Sequence, residues 1–145
     1  MANRYRTAIH EMGHAIMLRH YGYAVDAIGI TDDGGECRSA QFDAALENGG
    51  ARVCKQAIAV SFAGLVAVEE IFGTDDPGYS LSCTTDMGTL NHALEELGGS
   101  IEDCNVIREE ARQIVRAHRY EIEREARLLV NNQADWLCGA QRKLG

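Results

Sequence analysis

Two histidines four residues apart, His10 and His14 in the stretch TAIHEMGHAIM, enclose a glutamate at position 11. In a helix, residues i and i+4 lie one turn apart on the same face, so both imidazoles can aim a nitrogen at a single cation. Glu11 stands about 100° round from His10, too far to be an equally good ligand but within reach of a water held by that cation. Such a set is suited to hydrolysis: zinc lowers the pKa of a water toward about 7, and the carboxylate takes its proton as a carbonyl is attacked. A shuffled chain of this composition would write HExxH roughly once or twice in a hundred trials, so the motif alone leaves open two histidines that merely share an amphipathic helix. Ala15 and Met17 beside them point to partial burial, where His, Glu and His would be costly without a metal to satisfy them.

A catalytic zinc needs a third protein ligand and one open position. Downstream, Glu69, Glu70, Asp75, Asp76, Asp86 and His92 are all of suitable type, and spacing does not choose among them. His20 and His118 are expected at the solvent-exposed surface.

The elements that must position these residues are legible in outline. Tyr5, Ile9, Met12 and Ile16 step by four, three and four, which predicts a helix from about residue 3 to residue 20, stopped by Gly22. Residues 24–31 are short, partly β-branched and followed by DDGG, so they read as a strand turning back into a second strand near 37–42. Residues 51–72 carry Val53, Ala57, Val60, Gly64, Val68 and Ile71 at helical spacing, with small residues that permit close helix approach, and predict the central buried helix. A loop holding the single proline leads to TTD, an N-cap for a helix with Met87, Leu90, Leu94 and Leu97. Residues 103–138 read as helical, with Val106, Ile107, Ile114, Val115, Ile122, Leu129 and Leu137 inward and a break near NNQ. The expected fold class is mainly α (α+β), with one small β-hairpin beside the HExxH helix, in a single domain over 1–145.

Composition narrows the function. The chain has 145 residues, 14 Lys and Arg against 22 Asp and Glu, and a net charge of −8. That balance does not suit a nucleic-acid binder, which clusters positive charge for phosphate contacts. No uninterrupted apolar run predicts a signal peptide or a membrane span. Five scattered cysteines without a CxxC pair resemble reduced core thiols, so the expected location is cytoplasmic.

Three blocks in order resemble the peptidase domain of the FtsH-type ATP-dependent metalloproteases over nearly the whole chain. AIHEMGHAIM resembles the family's zinc helix, AVEEIFG with the preceding AGLV its Gly-containing helix ending in a Glu-Glu pair, and CTTDMGTLNHAL its third-ligand segment. The closing EEARQIVRAHRYEIEREARLLVNNQADWL resembles the family's final helices. The resemblance implies a zincin-like fold, Zn2+ as cofactor, His10, His14 and Asp86 as ligands, Glu11 as general base, and Glu69 as a supporting carboxylate behind the metal helix. It further implies a peptide or unfolded-protein substrate paired with the hairpin's edge strand. The chain departs from the family in lacking a GxxxxGK[ST] phosphate loop and membrane segments, so the expectation is a stand-alone protease half, with a separate ATPase in trans as a partner. Met12 stands where the family carries a small alanine. The family's protease domains form six-membered rings, which makes a homo-oligomer a further expectation. A different class of function, a non-degrading zinc module that holds a peptide or protein partner, would use the same ligands without turnover.

Overall fold

A computed structural model describes residues 4–31, 34–73, 95, 98, 101–131 and 136–138. The fold is mainly α with a small antiparallel sheet. Its elements are α1 (Arg4–His20), β1 (Ala27–Thr31), β2 (Gly34–Arg38), α2 (Ala40–Asn48), α3 (Ala51–Phe72), α4 (Ile101–Ala117), α5 (Arg119–Asn131) and β3 (Trp136–Cys138). The sheet order is β2-β1-β3, both pairings antiparallel, with Ile28 opposite Cys37 on one side and Leu137 on the other.

Helix α1 is buried on all sides from Ala8 to Leu18, and α3 is buried at Cys54 and from Gln56 to Glu69. Helices hydrophobic around their whole circumference belong in a core, and these two cross each other there. Their approach is close because small residues meet at the crossing. A Cβ on Gly13 would fall on the Ala63 carbonyl and lie 2.9 Å from the Ala67 Cβ. Ile9, Met12, Ile58 and Val66 fill the surrounding space, each contributing roughly 1.5–3 kcal/mol by leaving water. Met12, larger than the alanine of the resembling family, is wholly buried. Helix α3, against the expectation that no run is apolar enough, could cross a membrane by length and composition; 78% of its apolar window is buried inside the protein.

Each helix end has a local cause. Gly22 takes φ 90° after α1, its N–H bonding Arg19 O at 3.0 Å while Tyr23 N–H bonds Leu18 O at 2.9 Å, which is the Schellman arrangement. Gly73, at φ 87°, closes α3 with its N–H on Glu69 O.

The first and central helices and the first strand lie where the sequence predicts them. The second strand is shifted, running over Gly34–Arg38 and so beginning inside DDGG instead of near residue 37, and the C-terminal segment also differs. Phe42, expected in the second strand, belongs to α2, because Ser39 accepts from Phe42 N–H as an N-cap and Asp26 accepts from Ala40 N–H at 2.7 Å. The C-terminal helical stretch ends at Asn131, the first residue of the NNQ where a break is expected, and is also interrupted at His118, whose Nδ1–H donates to Ile114 O at 2.9 Å. Trp136–Cys138, expected as the end of that helix, forms the third strand instead. Of the helix expected around Met87 to Leu97 only Glu95 is among the described residues, where it is helical.

Helix α5 packs Ile122, Ala126 and Leu129 toward α1, and carries Glu125 into the same contact. Burial pushes the Glu125 carboxyl above its ordinary range, and the Arg19 guanidinium, 3.3 Å away, only partly offsets this. A carboxyl whose pKa rises on folding binds more protons when folded, so this site gains stability as pH falls toward the usual carboxylate range and loses it as pH rises through the raised value. Glu125→Gln, which mimics the protonated form, should therefore raise the melting temperature slightly at pH 7. The gain should shrink as pH is lowered toward 4.5, as differential scanning fluorimetry across pH will show.

Candidate functional site

Helix α1 brings His10, Glu11 and His14 into the interior, with only 3%, 7% and 7% of their surfaces exposed. The two Nε2 atoms lie 3.0 Å apart. Two nitrogens bound to one zinc at about 2.05 Å in tetrahedral geometry would be separated by about 3.3 Å, so the pair is already close to a ligating separation. His14 also has a fixed tautomer. Its Nδ1 lies 2.6 Å from the Val60 carbonyl on α3, and because a carbonyl oxygen only accepts, Nδ1 carries the hydrogen. In the neutral ring the Nε2 lone pair is then directed toward His10. Hydrogen bonds of this type hold metal-ligating imidazoles in orientation.

Two glycines make room for the motif. A Cβ on Gly64 would lie 2.7 Å from His10 Cε1, 2.7 Å from His14 Cε1 and 2.7 Å from His14 Nε2. On the other flank of α1, a Cβ on Gly35 would come within 2.8 Å of Glu11 Cγ, 2.9 Å of Thr7 Cγ2 and 2.9 Å of Gly29 O. The imidazoles thus face α3, while β2 passes directly against Glu11. Sequence spacing had marked Gly64 as a small residue on a packing stripe. A glycine inside a 22-residue helix carries a propensity cost of about 1 kcal/mol against alanine and needs such a reason.

No family model matches the chain, and no curated protein matches it significantly.

Glu69 is 8% exposed near the end of α3, where both carboxylate oxygens accept from Arg108 Nη2, one of them at 2.9 Å, and Arg112 Nη2 approaches at 3.5 Å. Glu70 beside it binds Arg112 at 3.1 Å and Arg116 at 2.9 Å, and the Arg116 hydrogen bond, with Arg112 behind it, holds its carboxyl below the usual range. This network ties α3 to α4. By sequence pattern all three arginines read as the solvated face of an amphipathic helix.

Of the proposed third ligands, Asp75, Asp76, Asp86 and His92 lie outside the described residues. Among the described residues, no group of three or more His, Cys, Asp or Glu side chains forms a metal-binding cluster. His20 and His118 are exposed, as expected. The donor set fits a metal: two imidazole nitrogens converge, one ring has its tautomer fixed by a backbone carbonyl, and a carboxylate lies one residue away.

Proposed function

We propose that this chain is a zinc-dependent endopeptidase acting on flexible or unfolded polypeptide, built like the peptidase domain of the FtsH-type proteases. The observation that carries the proposal is the convergence of the His10 and His14 Nε2 atoms at 3.0 Å beside the buried Glu11. His10 and His14 would hold the ion together with Asp86, the residue that the family resemblance singles out. Bound there, zinc supplies Lewis acidity, making water more acidic and a carbonyl more electrophilic.

The chain's own residues do the rest. Val60 O keeps the His14 lone pair on Nε2, and Gly64 leaves space for both rings. Glu11 takes the proton from the attacking water and returns it to the leaving amine, the acid–base role that its position after His10 allows. Burial of the motif keeps bulk water from competing and strengthens each electrostatic interaction. Strand β2 pairs with β1 along one side only among the described residues. An extended peptide added along its other side would lie near Glu11, because β2 passes against that side chain. Glu69, through Arg108 and Arg112, would brace the end of the helix that backs the histidines. Structured substrates would need a separate ATPase in trans to unfold them, in a cytoplasmic setting, and a homo-oligomeric ring would follow the family's pattern.

The test is cleavage of casein by purified protein, before and after chelation. Cleavage should disappear on treatment with a strong chelator and return on addition of one equivalent of zinc. Cleavage that survives complete removal of metal would sink the proposal, and zinc-dependent peptide binding without cleavage would favour a non-degrading module.

A further inference from the structure

We infer that Gly64 is a positioning residue for the histidine pair: its missing side chain lets His10 and His14 bring their Nε2 atoms to one point. The reference to a metal rests on the function proposed above; the steric relation between Gly64 and the rings does not.

The geometry separates Gly64 from the other glycine at the crossing. At Gly13 an added methyl meets backbone, the Ala63 carbonyl, so the helices themselves must move apart. At Gly64 all three nearest atoms are imidazole atoms, each 2.7 Å from the ideal Cβ. No real Cβ tolerates that distance, and side chains yield more readily than two packed helices. The rings must therefore turn. His14 cannot turn without stretching its 2.6 Å hydrogen bond to Val60 O, and Val60 lies one turn before Gly64 on the same helix. Helix α3 thus holds His14 from two points, an acceptor and a gap, and an alanine at 64 would set the two against each other. The helical fold should survive while the nitrogen separation and lone-pair direction change, which is the geometry a metal reads.

The experiment compares Gly64→Ala and Gly13→Ala, each in the native chain and in a His10→Ala/His14→Ala background. Melting temperature is measured on the chelated protein, and zinc affinity on the native-background variants by competition with a chromogenic chelator. Gly64→Ala should lower the melting temperature in the native background. It should raise it when both rings are gone, because alanine is the better helix former once its methyl has space. Gly13→Ala should lower it in both. Zinc affinity should fall at least about tenfold in Gly64→Ala, the scale seen when the orientation of a ligating histidine is disturbed, with helix content by circular dichroism unchanged. A Gly64→Ala effect of the same sign in both backgrounds, or unchanged zinc affinity in a wild type that does bind zinc, would overturn the inference. If the wild type bound no zinc while the sign inversion held, the proposed function would fail and the seating of the rings by Gly64 would stand.

Discussion

Glu11→Gln is expected to keep its zinc and to lose casein cleavage by at least about a hundredfold, the lower end of what a positioned general base contributes. Glutamine nearly matches glutamate in size, so the side chain should still fit against β2, where the Gly35 backbone leaves it room. An amide cannot take up the proton of an attacking water. Because Glu11 is given no ligand role, metal content should stay at the wild-type level. The two readouts together separate a lost base from a lost site, and equal cleavage by wild type and variant would rule out this assignment of roles.

The second large effect concerns the third ligand. Asp86→Ala should weaken zinc binding by more than about a hundredfold, beyond the 10–100-fold typical of residues that only orient a ligand, and should leave little thermal stabilisation by added zinc. Asp75→Ala and Asp76→Ala should bind zinc like wild type. His10 and His14 provide two nitrogens from one helix, and a structural or catalytic zinc site takes at least one more protein ligand. The opposite pattern, loss at Asp75 or Asp76 and none at Asp86, would reassign the ligand and weaken the family resemblance on which Asp86 rests.

Much of the helical framework was legible because its signals are local. The four-three-four steps of Tyr5, Ile9, Met12 and Ile16 and the small-residue stripe of residues 51–72 each arise within one element, and both helices form where these patterns lie. What escaped depends on partners elsewhere. Phe42 alternates plausibly as a strand residue, but Ser39 and Asp26 cap the turn that starts α2. Trp136–Cys138 is too short for periodicity to decide, and its state is set by pairing with β1 more than a hundred residues earlier. The break at His118 has neither proline nor glycine to announce it; a side chain bonds the Ile114 carbonyl there. In the site, the histidines and glutamate stood out by type and spacing. The Val60 carbonyl that fixes His14 could not, because every residue offers the same backbone acceptor. Arg108 and Arg112 were hidden for another reason, since arginines on an amphipathic helix ordinarily belong to its solvated face.

The most direct test of the central claim is the zinc content of purified wild-type protein and of His10→Ala/His14→Ala, measured by elemental analysis after dialysis against metal-free buffer. One zinc per wild-type chain and none in the double variant is the expected result. A wild type without stoichiometric metal, or a double variant that keeps its zinc, would contradict it.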